Sequence, residues 1–460
     1  MLAVAVLAAG KGTRMKSDLP KVLQPLAGAT LVERVLASCS GLAPERQILI
    51  VGHQAERVEQ SLAHRAGLEF VLQQPQNGTG HAVQQLLEPL ANFEGELLVL
   101  NGDVPLLREQ TIANLLEHHR SSGAAVTLLT ARLNDPTGYG RVLTDKDGRV
   151  QAIVEQKDAD AAQKAVRQIN TGVVSADAAT LRRWLAGLGN TNAQGEYYLT
   201  DIFAMAAGEG RPAQAVGCLS AGEADGANDA LQLSVLERRY QRRQAEALMR
   251  EGVRFADPSR VDIRGSVSAG MDVEVDVDVV FEGRVVLHDG VRIGPFCRLK
   301  DVELGAGSVV HAHCDFDGVQ AGPDCVLGPF ARLRPGTELA EGVHLGNFVE
   351  SKKTRIGANS KANHLTYLGD AEIGAKVNVG AGTITCNYDG VNKSLTEIGD
   401  GAFIGSNSSL VAPVSIGAGA TIGAGSVITK DAPADTLTVA RAKQLSLNGW
   451  QRPAKKPKSP

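Results

Sequence analysis

The sequence predicts a chain of two parts joined by one long helix. The first is an α/β domain with a mainly parallel sheet, and the second is a parallel β-helix. Three observations carry this expectation. Strand-like and helix-like segments alternate through the first 130 residues. Aliphatic residues recur every six positions from about residue 261 to 429. Between these stretches, residues 229–251 read as an uninterrupted helix ended by Gly252.

In the first part, residues 2–7, 47–51, 69–72, 96–100 and 124–130 read as strands. Residues 30–38, 81–87 and 108–120 read as helices, and Thr30 with Glu33 forms a plausible capping box at the start of the first. Such alternation predicts a mainly parallel sheet. Ligands of these sheets bind beyond the carboxyl ends of the strands. In the joining segment Leu233, Leu236, Tyr240, Ala247 and Leu248 lie near one face. Arg238, Arg239, Arg242 and Arg243 cover the rest, diluted by Glu237, Glu246 and Glu251. This reads as a solvated helix rather than a nucleic-acid arm.

In the second part, Val267, Val273, Val279, Val285 and Val291 make one six-residue run. Leu327, Leu333, Leu339 and Leu345 make another, and Ile398, Ile404, Leu410, Ile416, Ile422 and Ile428 a third. A period of six fits neither a helix nor a simple strand. It is the repeat of a parallel β-helix, in which each unit is a short strand plus a corner. Each inward aliphatic contributes roughly 1.5–3 kcal/mol by burial, so neighbouring coils stabilise one another. The phase slips near residues 311–326, 346–372 and 386–397. Interruptions of this kind are loops, and loops on a rigid scaffold carry function.

Composition narrows the function. A net charge of −4 gives no electrostatic reason for nucleic acid or an anionic membrane as partner. The six cysteines have no CxxC pairing, which predicts reduced thiols and a cytoplasmic protein. The apolar start at residues 2–7 has no basic residue before it and reads as a buried strand, not a signal peptide.

The first strand ends in Leu7, Ala8, Ala9, Gly10, Lys11, Gly12, Thr13, Arg14 and Met15, followed by Pro20 and Lys21. Bare amides at Gly10 and Gly12 can cradle phosphate oxygens. The set resembles the sugar-1-phosphate nucleotidylyltransferases, which carry LAxGxGTRM followed by PK. Gln73, Gly78, Thr79 and Gly80 resemble the family's uracil-reading segment. Asn101, Gly102 and Asp103 follow the fourth strand, and Asp103 resembles the family's metal-holding residue. Gly140, Glu155, Asn170 and Asn228 match sugar and metal positions. The resemblance implies a Rossmann-like nucleotidyltransferase domain with UTP bound along these residues. It also implies Mg²⁺ on Asp103 and Asn228, and phosphate charge met by Arg14 and Lys21. The attacking sugar phosphate is already an anion, so catalysis reduces to positioning and charge neutralisation.

The repeats resemble the hexapeptide acyltransferases, which implies a left-handed coil. Residues 363–370 read NHLTYLGD and residues 380–390 read GAGTITCNYDG. With the first half, they resemble the bifunctional family of N-acetylglucosamine-1-phosphate uridylyltransferase and glucosamine-1-phosphate acetyltransferase. That family implies His364 as general base, with Glu350 orienting its ring. It implies Arg334, Lys352, Tyr367, Asn378 and Lys393 around glucosamine-1-phosphate. It implies Ala381, Asn387, Tyr388, Ser406, Ala424 and Arg441 around acetyl-CoA, the co-substrate. The partners expected are UTP, acetyl-CoA, the two sugar phosphates and two further copies of the chain in a homotrimer. The expected domains are 1–230, the helix 231–251, and 252–460. One alternative is a single-function nucleotidylyltransferase whose β-helix serves assembly; His364 with the 387–390 segment speaks against it. His311 and His313 lack a third histidine for a zinc site. The tail 452–460 reads as disordered.

Overall fold

A computed structural model of the chain describes residues 1–455; five of the nine positions in the expected disordered tail, 456–460, lie outside the described residues. The chain divides into two units, Met1–Arg242 and Arg243–Pro460. The joining helix runs Ala230–Arg250, and the division falls within it.

In the first unit, Leu2–Ala8 pairs in parallel with Arg46–Val51 on one side and Glu96–Asn101 on the other. It is apolar at every position because both its faces are covered. Ala3 and Ala5 pack into one core cluster, and Leu2, Val4, Val6 and Ala8 into another. The sheet order is Ala213–Gly217, Val126–Arg132, Gln168–Asp177, Glu96–Asn101, Leu2–Ala8, Arg46–Val51, Leu68–Leu72. Gln168–Asp177 runs antiparallel to both neighbours. A hairpin of Arg141–Thr144 and Val150–Val154 attaches at Ile169. The first helix is Leu31–Ala37 with the full capping box: the Thr30 hydroxyl accepts from Glu33 N, and Glu33 accepts from Thr30 N at 2.7 Å. The expected helix 81–87 is instead Thr79–Gln84, starting straight after Gly78 at φ 101°. The strand expected at 124–130 is Val126–Arg132.

The second unit is a parallel β-helix of three stacked strand columns. Val261 lies over Val279 and Val280 over Arg298, a repeat of eighteen residues. The aliphatics of the second and third runs are buried throughout. Val267 is only partly buried, because its coil has a partner on one side alone. The phase slips have two causes. Some coils are one residue short, so Arg298 lies over Asp315 and Lys361 over Asn378. One coil is long, and Asn378 lies over Phe403, twenty-five residues on. At one corner Phe296, His313, Phe330 and Phe348 form a ring stack with centroids 4.9, 4.7 and 5.4 Å apart. The three phenylalanines stay about half exposed.

Candidate functional sites

The parallel strands of the first unit bring their carboxyl ends together. Gly102 N donates to Leu7 O at 2.9 Å, which fixes the 101–103 turn beside the first strand. Gly12 adopts φ 58°, and a Cβ there would lie 2.6 Å from Lys21 Cβ. Glycine is therefore required for Lys21 to reach across the loop. The Lys21 ammonium donates to the Asp103 carboxylate, and to Asn228 Oδ1 at 2.9 Å. Arg14 donates to the same Asn228 oxygen at 2.8 Å. Asn228 is itself held, since its N donates to Gln232 Oε1 at 2.8 Å. Gly10 is different from Gly12: a Cβ there would meet nothing within 4 Å. No packing demand explains it, and its bare backbone faces outward.

A cavity of about 480 Å³ opens beside this network. Leu7, Thr79, Asn101, Gly140, Glu155 and Asn170 line it together with Arg14, Asp103 and Asn228. Ala8, Ala9, Gly10, Lys21, Gln73, Gly78 and Gly102 stand outside the lining. Gln73 is buried and its amide donates to Gly78 O at 3.0 Å, which shapes the segment before Thr79. Tyr139, Thr171, Thr200 and Gln232 also line the cavity. No spacing in the sequence marks Thr200 or Gln232. Burial pushes the Glu155 carboxyl up, Asp158 and Asp201 add to the rise, and Arg141 opposes it.

Asp103 and Asn228 offer hard oxygen donors suited to a divalent cation. The Lys21 ammonium already sits against both oxygens, as a monovalent stand-in. The donor set therefore fits a metal. Among the described residues no group of three His, Cys, Asp or Glu side chains gathers around a common point. A cation on this pair would take its remaining ligands from phosphate and water.

In the second unit, strands His344–Ile356 and Lys361–Ile373 pair in parallel along their length. Asn347 lies against His364, and Glu350 against Tyr367. His364 Nδ1 is 3.1 Å from Asn347 Oδ1. An amide oxygen only accepts, so this contact holds a hydrogen on Nδ1 and leaves Nε2 as the ring nitrogen that Asn347 does not engage. The expectation that Glu350 orients this ring is corrected. Stacking places Glu350 against Tyr367, three residues along the strand from the Asn347–His364 pair, and it accepts from Arg334 at 2.8 Å.

Lys393 and then Arg334 push the Lys352 ammonium below its usual range, so three cations share one pocket. The long coil supplies Lys393 and also Asn387 and Tyr388; Asn387 is tied to Asp370, and Tyr388 bridges Lys393 through the backbone. Tyr367 lies over Ile384 in the column that holds Glu350. Asn378 falls in another column, between Lys361 and Phe403, and is not brought to the cation cluster. Ala381, Ser406 and Ala424 follow one another at one corner: Asn407 N donates to Ala381 O at 2.7 Å and Gly425 N to Ser406 O at 2.8 Å. Arg441 donates to Ala424 O at 2.6 Å. Gly382 N donates to Leu365 O at 3.1 Å, so this corner adjoins His364. A wider groove of about 950 Å³ runs beside Glu303, Glu338 and Glu372 on the remaining column. It holds none of the residues expected to bind ligand, so cavity size does not mark the chemistry here.

Residues 4–188 match the family described as a MobA-like NTP transferase domain. Residues 395–430 match the bacterial transferase hexapeptide, six repeats, which accords with a left-handed coil. Over 455 residues the chain is 58% identical to "Bifunctional protein GlmU" of Stenotrophomonas maltophilia (strain K279a), covering 99% of each chain. It is 54% identical to the protein of that name from Xylella fastidiosa (strain M23), over 99% of this chain and 98% of the relative. Against that from Xanthomonas axonopodis pv. citri (strain 306) the identity is 57%, over 99% of each.

Proposed function

The chain belongs to the family of the bifunctional GlmU proteins, and from that premise we propose that it makes UDP-N-acetylglucosamine by two successive transfers. The observation that carries the reading is the presence of two chemically unlike sites in one chain. One gathers Arg14, Lys21, Asp103 and Asn228 at strand ends. The other sets the His364 imidazole against Asn347, and the same pair of strands carries Lys352, crowded by Lys393 and Arg334.

In the acetyl transfer, Arg334, Lys352 and Lys393 hold the phosphate of glucosamine-1-phosphate. His364 Nε2 takes a proton from the sugar ammonium, and the freed amine attacks the thioester carbon of acetyl-CoA. The carbon–sulfur bond breaks as the amide forms; the second proton of the amine passes to the departing sulfur, and the coenzyme leaves as its free thiol. Ala381 offers its backbone amide to the developing oxyanion, while that of Gly382 is taken by Leu365 O. Asn387, Tyr388, Ser406, Ala424 and Arg441 contact the coenzyme, and Tyr367 and Asn378 complete the sugar pocket.

In the uridylyl transfer, an oxygen of N-acetylglucosamine-1-phosphate attacks the α-phosphorus of UTP and pyrophosphate leaves. Arg14 and Lys21 neutralise phosphate charge, while Gly10 lets the backbone approach it. Leu7, Ala8, Ala9, Gln73, Gly78 and Thr79 hold the nucleotide, and Asn101, Gly102, Gly140, Glu155 and Asn170 hold the sugar side. Mg²⁺ on Asp103 and Asn228 would supply charge neutralisation of the phosphates when bound.

A homotrimer accounts for two observations. Asn378 lies away from its own cation cluster, so a neighbouring copy is the source that completes the pocket. The half-exposed column of Phe296, Phe330 and Phe348 gives that copy an apolar face. Among the described residues no helix is long and apolar enough to cross a membrane, and the reading places the enzyme in the cytoplasm. The test incubates the protein with UTP, Mg²⁺ and several sugar-1-phosphates and measures pyrophosphate. A parallel reaction with acetyl-CoA and glucosamine-1-phosphate measures free thiol. Activity in only one reaction would overturn the bifunctional reading.

A further inference from the structure

Arg141 is one of the largest fully buried side chains of the molecule, at 1% exposure. A guanidinium keeps its charge wherever it is placed. Burying one is costly unless it is paired. Among the described residues no carboxylate forms an ion pair with it, and its Nε finds no acceptor. Its two bonds go to neutral groups, the carbonyl of Tyr139 and the amide oxygen of Gln156, the latter at 2.7 Å. A buried cation with no direct ion pair among the described residues, left unused by the chemistry above, calls for an explanation.

Its surroundings supply one. The strand containing Arg141 pairs with Ile169 on one side and Val154 on the other. Two residues of the sugar end, Asn170 and Glu155, therefore flank its immediate partners, and Gly140 directly precedes Arg141. Asn170 N donates to Gly140 O at 2.9 Å. The Glu155 carboxylate packs against Gly140, where a Cβ would lie 3.2 Å from Oε1. Gln156 Oε1, held by the guanidinium, also accepts from Gly138 N at 3.2 Å. Arg141 thus clamps the turn before Gly140 to the turn carrying Glu155.

We propose that Arg141 is the positioning residue of the sugar end of the nucleotidyltransferase cavity, fixing Gly140 and Glu155 through Tyr139 and Gln156 and supplying the positive field that keeps Glu155 an acceptor for a sugar hydroxyl. The inference rests on the reading that this cavity takes a sugar phosphate. It assigns Arg141 no contact with the substrate. The charges facing Glu155 are Asp158 on its own turn, Asp201 at the start of helix Asp201–Gly208, and Arg141 on the neighbouring strand. The Thr200 hydroxyl and Tyr198 are the remaining polar neighbours. Two of the three charges are negative, so Arg141 is the sole opposing one among them.

The test uses the full chain, UTP, Mg²⁺ and N-acetylglucosamine-1-phosphate, with pyrophosphate release followed from pH 5 to 9. Arg141→Gln removes the charge and one arm of the clamp. Its KM for the sugar phosphate should rise about tenfold or more, the equivalent of about 1.4 kcal/mol. Its KM for UTP should stay within about threefold on the same scale. The acid limb of kcat/KM should move up by about one pH unit, since losing a nearby opposite charge raises a carboxyl pKa by about that much. Arg141→Lys keeps the charge and should leave the limb in place. Should Arg141→Gln fail to fold, Gln156→Leu carries the test: it opens the clamp, retains the charge, and should raise the sugar-phosphate KM without moving the limb. A folded Arg141→Gln with both KM values and the limb unchanged overturns the proposal, as does a Gln156→Leu with an unchanged sugar-phosphate KM. A wild-type protein that releases no pyrophosphate from this pair of substrates sinks the underlying reading instead.

Discussion

Phe316 offers a direct test of how the β-helix is held. It is fully buried, and the register places Leu299 below it and Leu333 above it. Truncation to Ala removes the ring from contact with both coils at once. A buried Phe→Ala change costs about 3–5 kcal/mol. In a stack where each coil touches only its neighbours, that loss falls on two interfaces. With a urea slope of about 2 kcal/mol per molar, the unfolding midpoint of this unit should fall by about 1.5–2.5 M. The two units have separate cores, so a single midpoint for the whole chain is not the right measure. The assay titrates urea at fixed protein concentration and reads acetyl transfer and uridylyl transfer separately. Phe316→Ala should lower the midpoint for acetyl transfer and leave that for uridylyl transfer in place. Met271→Ala, at 70% exposure, is the control and should shift neither by more than about 0.3 M, since such surface changes cost under about 0.5 kcal/mol. Equal falls in both activities, or a shift below about 0.5 M for acetyl transfer, would refute a core built coil on coil.

Three further outcomes are expected. Asp103→Ala should abolish pyrophosphate release and spare acetyl transfer; a folded mutant that loses both would break the two-site reading. Asn347→Leu should lower acetyl transfer about three- to tenfold by freeing the His364 ring, as loss of one neutral hydrogen bond of about 0.5–1.5 kcal/mol implies, and an unchanged kcat would remove Asn347 from the site. Lys352 loses its charge at lower pH than an ordinary lysine because Lys393 and Arg334 crowd it. Glucosamine-1-phosphate binding should therefore weaken on the alkaline side, and Lys393→Ala should move that limb to higher pH; a pH-independent KM would contradict the shared pocket.

The six-residue period was legible because a coil repeats one inward position at fixed spacing, and burial demands the same residue type at each. The capping box at Thr30 was legible for a similar reason: both partners lie within four residues. What escaped the sequence depends on distance along the chain. Asn347 and His364 are seventeen positions apart and meet only because one coil is a residue short of the eighteen-residue repeat. The family resemblance implied Glu350 as partner of the imidazole, and stacking assigned it to Arg334. The strand Gln168–Asp177 reads as ordinary β-sequence, and nothing local says that it enters the middle of a parallel sheet in reverse. Gln232 and Thr200 reach the cavity through a helix start and a loop that no motif announces.

The long coil between Asn378 and Phe403 has a consequence for how such a protein changes over time. The coils on either side keep their register, with Lys361 over Asn378 before it and Phe403 over Thr421 after it. Extra residues leave the stack at one corner and return to it without displacing any inward side chain. Length and composition can therefore drift at that corner while the supporting coils stay under strict constraint. Selection can try new ligand contacts there one insertion at a time, and failed trials cost the fold little. The residues most open to innovation are set beside those least able to vary, within a single turn of the chain.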